Sequence, residues 1–201
     1  MQSPRTTHLE AAKRILRYVK GTIGYGLLYK KSNSLTLSGF TDADWTGDAN
    51  DRHSTSGYCF STGSAVVSWC SKKQEIVALS STEAEYVAAT MAAQECVWLE
   101  RLIEDMLQEV DYAVEIRCDN ESAVKLASNP VFHARTKHIE VRYHFIREKV
   151  LNEEIKLTGV QTKAQVADIF TKALVKPKFQ NLRSALGVVD GRFALRGSIK
   201  N

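Results

Sequence analysis

Asp42 and Asp44 close a stretch, Leu35-Thr36-Leu37-Ser38-Gly39-Phe40-Thr41, that carries no Lys or Arg to neutralise them. Acids at the end of a core strand are costly unless something pairs with them, and a bound cation is a common partner. Either acid also suits capping of the turn into Trp45-Thr46-Gly47-Asp48. Three further acids weigh against that simpler account: Glu85, Asp119 and Asp168. Singly, each has an ordinary explanation, as a helix cap, a helix start and a surface acid. Together, four converging carboxylates without basic partners repel one another unless divalent cations sit between them. Hard oxygen ligands suit Mg²⁺ or Mn²⁺, and two such ions can clamp a scissile phosphate for in-line attack by water.

Those acids need elements to position them. Leu35 and Leu37 alternate with Thr36 and Ser38, and Phe40 extends the pattern, so a strand runs into Asp42. Residues 57–61 and 65–70 are two more strands, joined by Thr62-Gly63-Ser64 as a hairpin. A long helix starts around Ser80-Ser81-Thr82-Glu83-Ala84-Glu85-Tyr86, with a break expected near Ala93 because the span is long for one globular helix. Ser80 with Glu83, or Thr82 with Glu85, satisfies a capping box. If Ser80 is the cap, Glu83 folds back to it and Glu85, on the opposite side of the helix, is free to reach the first strand. A fourth strand over 114–119 ends in Asp119, and it can lie beside the first, making Asp42 and Asp119 neighbours. Helices follow over 136–151 and, around Asp168, over 165–174; a fifth strand covers 155–160. Pro177 lies just past that last helix, and beyond Gly187 the tail shows no pattern.

Before the first acidic strand, residues 8–20 form an amphipathic helix with Leu9, Ala12, Leu16 and Val19 on one face, expected to dock on the main domain. A short strand is expected at 24–29.

With 201 residues and 44% hydrophobic composition, the chain can build one substantial core. Its net charge of +4 is distributed in zones. Six Lys or Arg face one acid up to Lys30, and nine acids face Arg101 alone from Glu83 to Glu115. A second basic zone runs from His133 to Lys149. Alternating zones of this kind suit a protein that grips a polyanion beside an acidic site. Four cysteines lack metal spacing, no run is apolar enough to span a membrane, and an intracellular setting, cytoplasmic or nuclear, is expected. His133 and His138 suit packing and capping at a helix start better than metal ligation, since no cysteine completes a zinc set.

Seven strings carry a family resemblance. They are Thr41-Asp42-Ala43-Asp44-Trp45, Arg52-His53-Ser54-Thr55-Ser56-Gly57-Tyr58, Ser80 to Tyr86, Cys118-Asp119-Asn120, Arg135-Thr136-Lys137-His138-Ile139, Tyr143-His144-Phe145-Ile146-Arg147 and Ala167-Asp168-Ile169-Phe170-Thr171-Lys172. On these the chain resembles the RNase H domain of copia-type long-terminal-repeat retrotransposon Pol polyproteins. The resemblance implies an α/β RNase H-like fold: a five-stranded mixed sheet, its first three strands antiparallel, with helices on both faces. It implies cleavage of the RNA strand of an RNA–DNA hybrid with two Mg²⁺ ions, Mn²⁺ being the substitute. Asp42 would bridge both ions, Glu85 and Asp119 completing one site and Asp168 the other.

By the same resemblance, residues 1–31 would be the end of the reverse transcriptase polymerase region, a potential partner, and 32–187 the RNase H-like domain, with 188–201 unassigned. Telling RNA from DNA needs small polar groups near the 2′-hydroxyls, for which Ser81, Thr82 and Asn120 are the candidates. Arg52, Lys72, Lys73 and Arg135 are candidates for phosphate contacts. Many RNase H enzymes carry a mobile His in the loop before the last acid, whereas Gln161-Thr162-Lys163-Ala164-Gln165 has none, which predicts slower turnover. The alternative reading is an inactive retroelement fragment that keeps the fold and binds nucleic acid. An integrase-like domain is excluded by order, because its glutamate follows the fourth-strand aspartate and Glu85 precedes Asp119.

Overall fold

The computed structural model describes residues 3–31, 35–47, 51–106, 110–128 and 137–191, with backbone alone for 137–143. Arg135, His133, the side chain of His138 and the tail beyond residue 191 lie outside the described residues.

Helix α1 (Thr6–Thr22) and strand β1 (Tyr25–Leu27) precede the main sheet. That sheet is built from β2 (Ser38–Asp44), β3 (Thr55–Ser61), β4 (Val66–Lys73), β5 (Val114–Cys118) and β6 (Ile155–Gly159), in the order β4-β3-β2-β5-β6. The first three strands pair antiparallel, as the hairpin signal predicts. β2–β5 and β5–β6 are parallel, so the two acid-bearing strands are neighbours as expected. Parallel neighbours need crossover connections. Helix α2 (Ser81–Met106) supplies one, and α3 (Glu121–Ser128) with α4 (Lys137–Leu151) the other.

Side chains alternate across the sheet, and both faces are covered. Phe60 packs with Leu37, Tyr86, Ile116, Ile146 and Leu157 against the layer of α2, α3 and α4. Its neighbour Cys59 points the other way, to Val66, Val166 and Leu186, with Phe40, Ile169 and Phe170 around them. The break expected near Ala93 does not occur: α2 runs unbroken for 26 residues. Ala84, Ala88, Ala89, Ala92, Ala93 and Cys96 are fully buried along it. Alanine is the best helix former, and small side chains let the helix lie close on the sheet, so packing sustains the length.

The C-terminal third differs from expectation. The single helix over 165–174 is instead a 3₁₀ turn (Thr162–Ala164) and a four-residue helix α5 (Asp168–Thr171), ended by Lys172 in an extended conformation. Pro177 opens a second helix, α6 (Lys176–Ala185), rather than marking a stop, because proline at the first helical turn forfeits no hydrogen bond. Past it, the patternless stretch after Gly187 holds strand β7 (Val188–Asp190), which pairs antiparallel with β1 through Tyr25–Asp190, Gly26–Val189 and Leu27–Val188.

Helix α1 does not dock on the domain. None of its residues is buried, and Leu9, Leu16 and Val19 are each more than half exposed. Its amphipathic stripe is real, but it is tethered through β1, whose partner is β7 and not the main sheet.

Gly187 holds this corner together. Its φ of 77° is left-handed, its carbonyl accepts from Leu28 N–H at 3.0 Å, and an added Cβ would lie 2.5 Å from Ala65 Cβ. Gly187→Ala is therefore expected to cost at least about 1–2 kcal/mol in denaturant unfolding from backbone strain alone. A neutral result would show that the β1–β7 corner contributes nothing to the cooperative fold.

Candidate active site

Register brings the first two acids together. Ser38, Gly39 and Phe40 of β2 lie opposite Glu115, Ile116 and Arg117 of β5, so continuing both strands sets Asp42 level with Asp119. Glu85 joins them from the start of α2. Ser80 caps that helix, its Oγ accepting from Glu83 N–H at 3.1 Å, and Glu83 turns back to accept from Leu79 N–H at 2.7 Å. Glu83 is thus committed to the cap, and Glu85, two residues on, points into the domain. Carboxylate oxygens of Asp42, Glu85 and Asp119 all lie within 4.8 Å of one another. Oxygens around an octahedral Mg²⁺ at about 2.1 Å lie about 3–4 Å apart, so a slight closure of this set suits one hard divalent ion. Asp44, the second acid of β2, is not part of the set.

Electrostatics mark Glu85 and Asp42. Burial pushes the Glu85 carboxyl up to about 8, and the charges of Asp42 and Asp119 push in the same direction, against a hydrogen bond from the Ala43 backbone. Asp42 is also raised, first by burial, despite the Thr171 hydroxyl and the Lys172 charge. Cys118 lies beside Glu85, Sγ to Oε2 at 3.7 Å, and burial followed by the Glu85 charge raises its thiol, making it an inert packing residue. A cation among these oxygens would reverse the penalty that holds protons on them.

Asp168 is treated differently. It is fully buried at the first position of α5, but its carboxylate belongs to two lysines: Oδ1 lies 2.6 Å from Lys172 Nζ, and Oδ2 pairs with Lys178 Nζ. Lys172 also reaches Asp42 Oδ2 at 3.4 Å, and the Thr171 hydroxyl donates to that oxygen. Burial works against the Lys172 ammonium, but the hydrogen bond to Asp168 and the charges of Asp42 and Asp168 outweigh it and raise its pKa. The segment is fixed in place by Gln165, which donates to Thr41 O at 2.9 Å and accepts from Ala167 N–H at 3.2 Å. Close approach does the rest, since a Cβ on Gly57 would lie 2.7 Å from Thr171 Cγ2.

The candidate nucleic-acid contacts are spread around this centre. Ser81 is exposed in the first turn of α2 beside half-buried Thr82, and Asn120 caps α3, its Oδ1 accepting from Ala123 N–H at 3.0 Å. Arg52 is exposed with a left-handed φ of 58°. Lys72 and Lys73 sit at the end of edge strand β4, ion-paired with Glu75 and Asp51 on exposed side chains. Sequence reasoning misses Lys172, Lys178, Thr171 and Gln165. Lys172 stands four residues after Asp168, a spacing that could have found it; nothing local points Lys178 at the site.

A mixed sheet of this order, with helices on both faces, is the RNase H fold. The chain superimposes on LC11-RNase H1, solved in complex with an RNA/DNA hybrid, with a TM-score of 0.50 over 68% of this chain and 94% of that one at 16% identity. The N-terminal RNase H domain of a Mycobacterium tuberculosis protein gives 0.51 over 76% and 99% at 13% identity. No protein-family profile matches the chain. In sequence it is 43% identical over 94% of its length to the retrovirus-related Pol polyprotein from transposon TNT 1-94 of Nicotiana tabacum, and 44% identical over 94% to that from transposon RE1 of Arabidopsis thaliana. Over 94% of its length the chain is thus homologous to retrotransposon Pol polyproteins, and it folds as an RNase H-like domain. It spans only 14% and 13% of those two polyproteins.

Glu85 takes up its proton near 4.5 in an unfolded chain and near 8 in the fold. Between those values the folded protein keeps a proton that the unfolded chain has lost, so stability falls as pH rises through the window and levels off above it. Asp42 acts in the same direction. In chelator, the thermal midpoint should drop from about pH 5 to about pH 8, and Glu85→Gln should flatten that drop. Glu83→Gln should instead cost about 0.5–1 kcal/mol through the weakened cap and keep the wild-type slope. A wild-type slope in Glu85→Gln would place the proton elsewhere.

Proposed function

We propose that this domain is a metal-dependent endonuclease that hydrolyses the RNA strand of RNA–DNA hybrids during reverse transcription of a copia-type retrotransposon. The observation that carries the reading is the convergence of Asp42, Glu85 and Asp119 within 4.8 Å at the centre of the sheet. Three oxygen donors from three separate elements would hold a Mg²⁺ or Mn²⁺ ion, which supplies an acidified water and neutralises charge on the scissile phosphate. The family resemblance adds a second ion, shared by Asp42 and Asp168. The hybrid in LC11-RNase H1 supports the substrate class, because that protein shares the fold.

The chain's own groups do the rest. Burial raises Glu85 and Asp42 toward the protonated form, so holding a cation would favour the ionised carboxylates that ligation needs. Ser81, Thr82 and Asn120 present small polar groups able to recognise 2′-hydroxyls, and Arg52, Lys72, Lys73 and Arg135 bear the phosphate charge. The segment 161–165 before Asp168 carries no His, so proton transfer to the leaving group would fall to solvent there. Residues 1–31 would continue a polymerase region, with the enzyme acting in the cytoplasm or nucleus.

Asp119→Asn tests the centre, since an amide lacks the charge that the ion needs. Cleavage of a labelled RNA–DNA hybrid in Mg²⁺ should fall at least about 100-fold while hybrid binding in chelator persists. Wild-type cleavage by this variant would sink the assignment. Charge reversal at Lys72 and Lys73 should flatten the dependence of log affinity on log salt, by up to about one unit of slope for each phosphate no longer neutralised. An unchanged slope would move the hybrid to another face.

A further inference from the structure

Among the described residues, four carboxylates and two ammonium groups meet at this site, and their arrangement is uneven. Asp42, Glu85 and Asp119 face one another within 4.8 Å. On the other side of Asp42, Lys172 Nζ stands between two carboxylates, 2.6 Å from Asp168 Oδ1 and 3.4 Å from Asp42 Oδ2. The second Asp168 oxygen is taken by Lys178. Charge points the same way. With all four acids ionised, the two lysines leave two negative charges unmatched, which is the charge of one divalent ion. Two ions added to two lysines would leave an excess of positive charge in a buried place, before any phosphate arrives.

Lys172 is also poorly placed to leave. It directly follows α5, four residues from Asp168, and only a third of its side chain is exposed. Its tether keeps it at high effective concentration beside the carboxylate it neutralises. Removing it would leave the fully buried Asp168 with Lys178 as its one ammonium partner among the described residues.

We propose that the site takes a single divalent ion, on Asp42, Glu85 and Asp119, and that Lys172, supported by Lys178, is a built-in cation replacing the second. This rests on the hydrolase reading above and departs from it only in the number of ions. An ammonium contributes charge and hydrogen bonds to a phosphate oxygen, but it does not acidify a water. Lys172 therefore stabilises charge on the scissile phosphate, while activation of the water is confined to the side bearing Asp42, Glu85 and Asp119. No electron transfer or further reactant is involved.

Mn²⁺ is the probe, because two ions sharing a carboxylate couple magnetically and one does not. Mn²⁺ bound per chain is counted by electron paramagnetic resonance, in the free protein and after freeze-quenching with an RNA–DNA hybrid. The expected result is one uncoupled ion per wild-type chain in both states, and a coupled pair in Lys172→Met, where Asp168 Oδ1 loses its ammonium partner. Lys172→Arg, which keeps the charge, should hold one ion. In Lys172→Met the thermal midpoint should rise more on adding Mn²⁺ than in the wild type. A coupled pair in the wild type with hybrid overturns the proposal whether or not the methionine variant folds. So does a folded Lys172→Met with a single ion. Absence of any bound ion in the wild type removes the metal-dependent hydrolase reading too, so the two failures are distinct.

Discussion

Carboxylates gathered in a fold repel one another and lose their hydration at once, and the rest of this site is arranged around that cost. Asp42 is the point where the burden concentrates. It is almost fully buried, stands between Glu85 and Asp119 on one side and Asp168 on the other, and holds its proton above the usual carboxylate range. The chain answers the cost in two ways. On the Asp168 side it brings Lys172, Lys178 and the Thr171 hydroxyl. On the Glu85 side the described residues bring little beyond a hydrogen bond from the Ala43 backbone and the charge of Lys172. Burial there favours a proton on Glu85 as the provisional neutraliser. A side that has been compensated internally is stable as it stands, and one that has not is where an external cation gains most.

Close approach makes this possible. Buried alanines along α2 let its first turns reach the end of β2, so Ala43 packs with Ala84 and Ala88 while Glu85 points to Asp42. Larger side chains there would lift the helix and separate the acids by more than an ion can bridge. Across the sheet, Gly57 does the same for α5, whose Thr171 methyl lies where a side chain would otherwise begin. The convergence of the acids is therefore a packing property of small residues as much as a property of the acids.

Much of this was legible in the residues. The strands carried period-2 alternation, the hairpin carried its glycine, and the order of the acids along strand and helix carried a layout that the parallel β2–β5 register matches. The Ser80 cap separated Glu83 from Glu85 on local geometry alone. What was not legible depended on interactions distant in sequence. Propensity and length argued for a break in α2, and burial on the sheet overrode them. Pro177 reads equally as a stop or a start, and only the packing of Leu182 and Leu186 decides for a start. The amphipathic stripe of α1 promised a docking surface within the chain that the fold does not provide. Lys178 reaches Asp168 from a different helix, and no spacing rule announces such a pairing.

That last pairing links the site to the most remote part of the chain. Lys178 can hold Asp168 only if α6 is fixed. Leu182 and Leu186 anchor α6, and Leu186 O accepts from Val66 N–H at 3.0 Å. Gly187 then turns the chain into β7, which is pinned by β1. The strand that follows α1 and the stretch after Gly187 are thus the outer end of a support that terminates at a buried carboxylate. Loosening that corner would free a lysine from Asp168 and so disturb the charge balance around the acids, with none of them touched. A site read from its acids alone would omit the two lysines that balance the charge of Asp168.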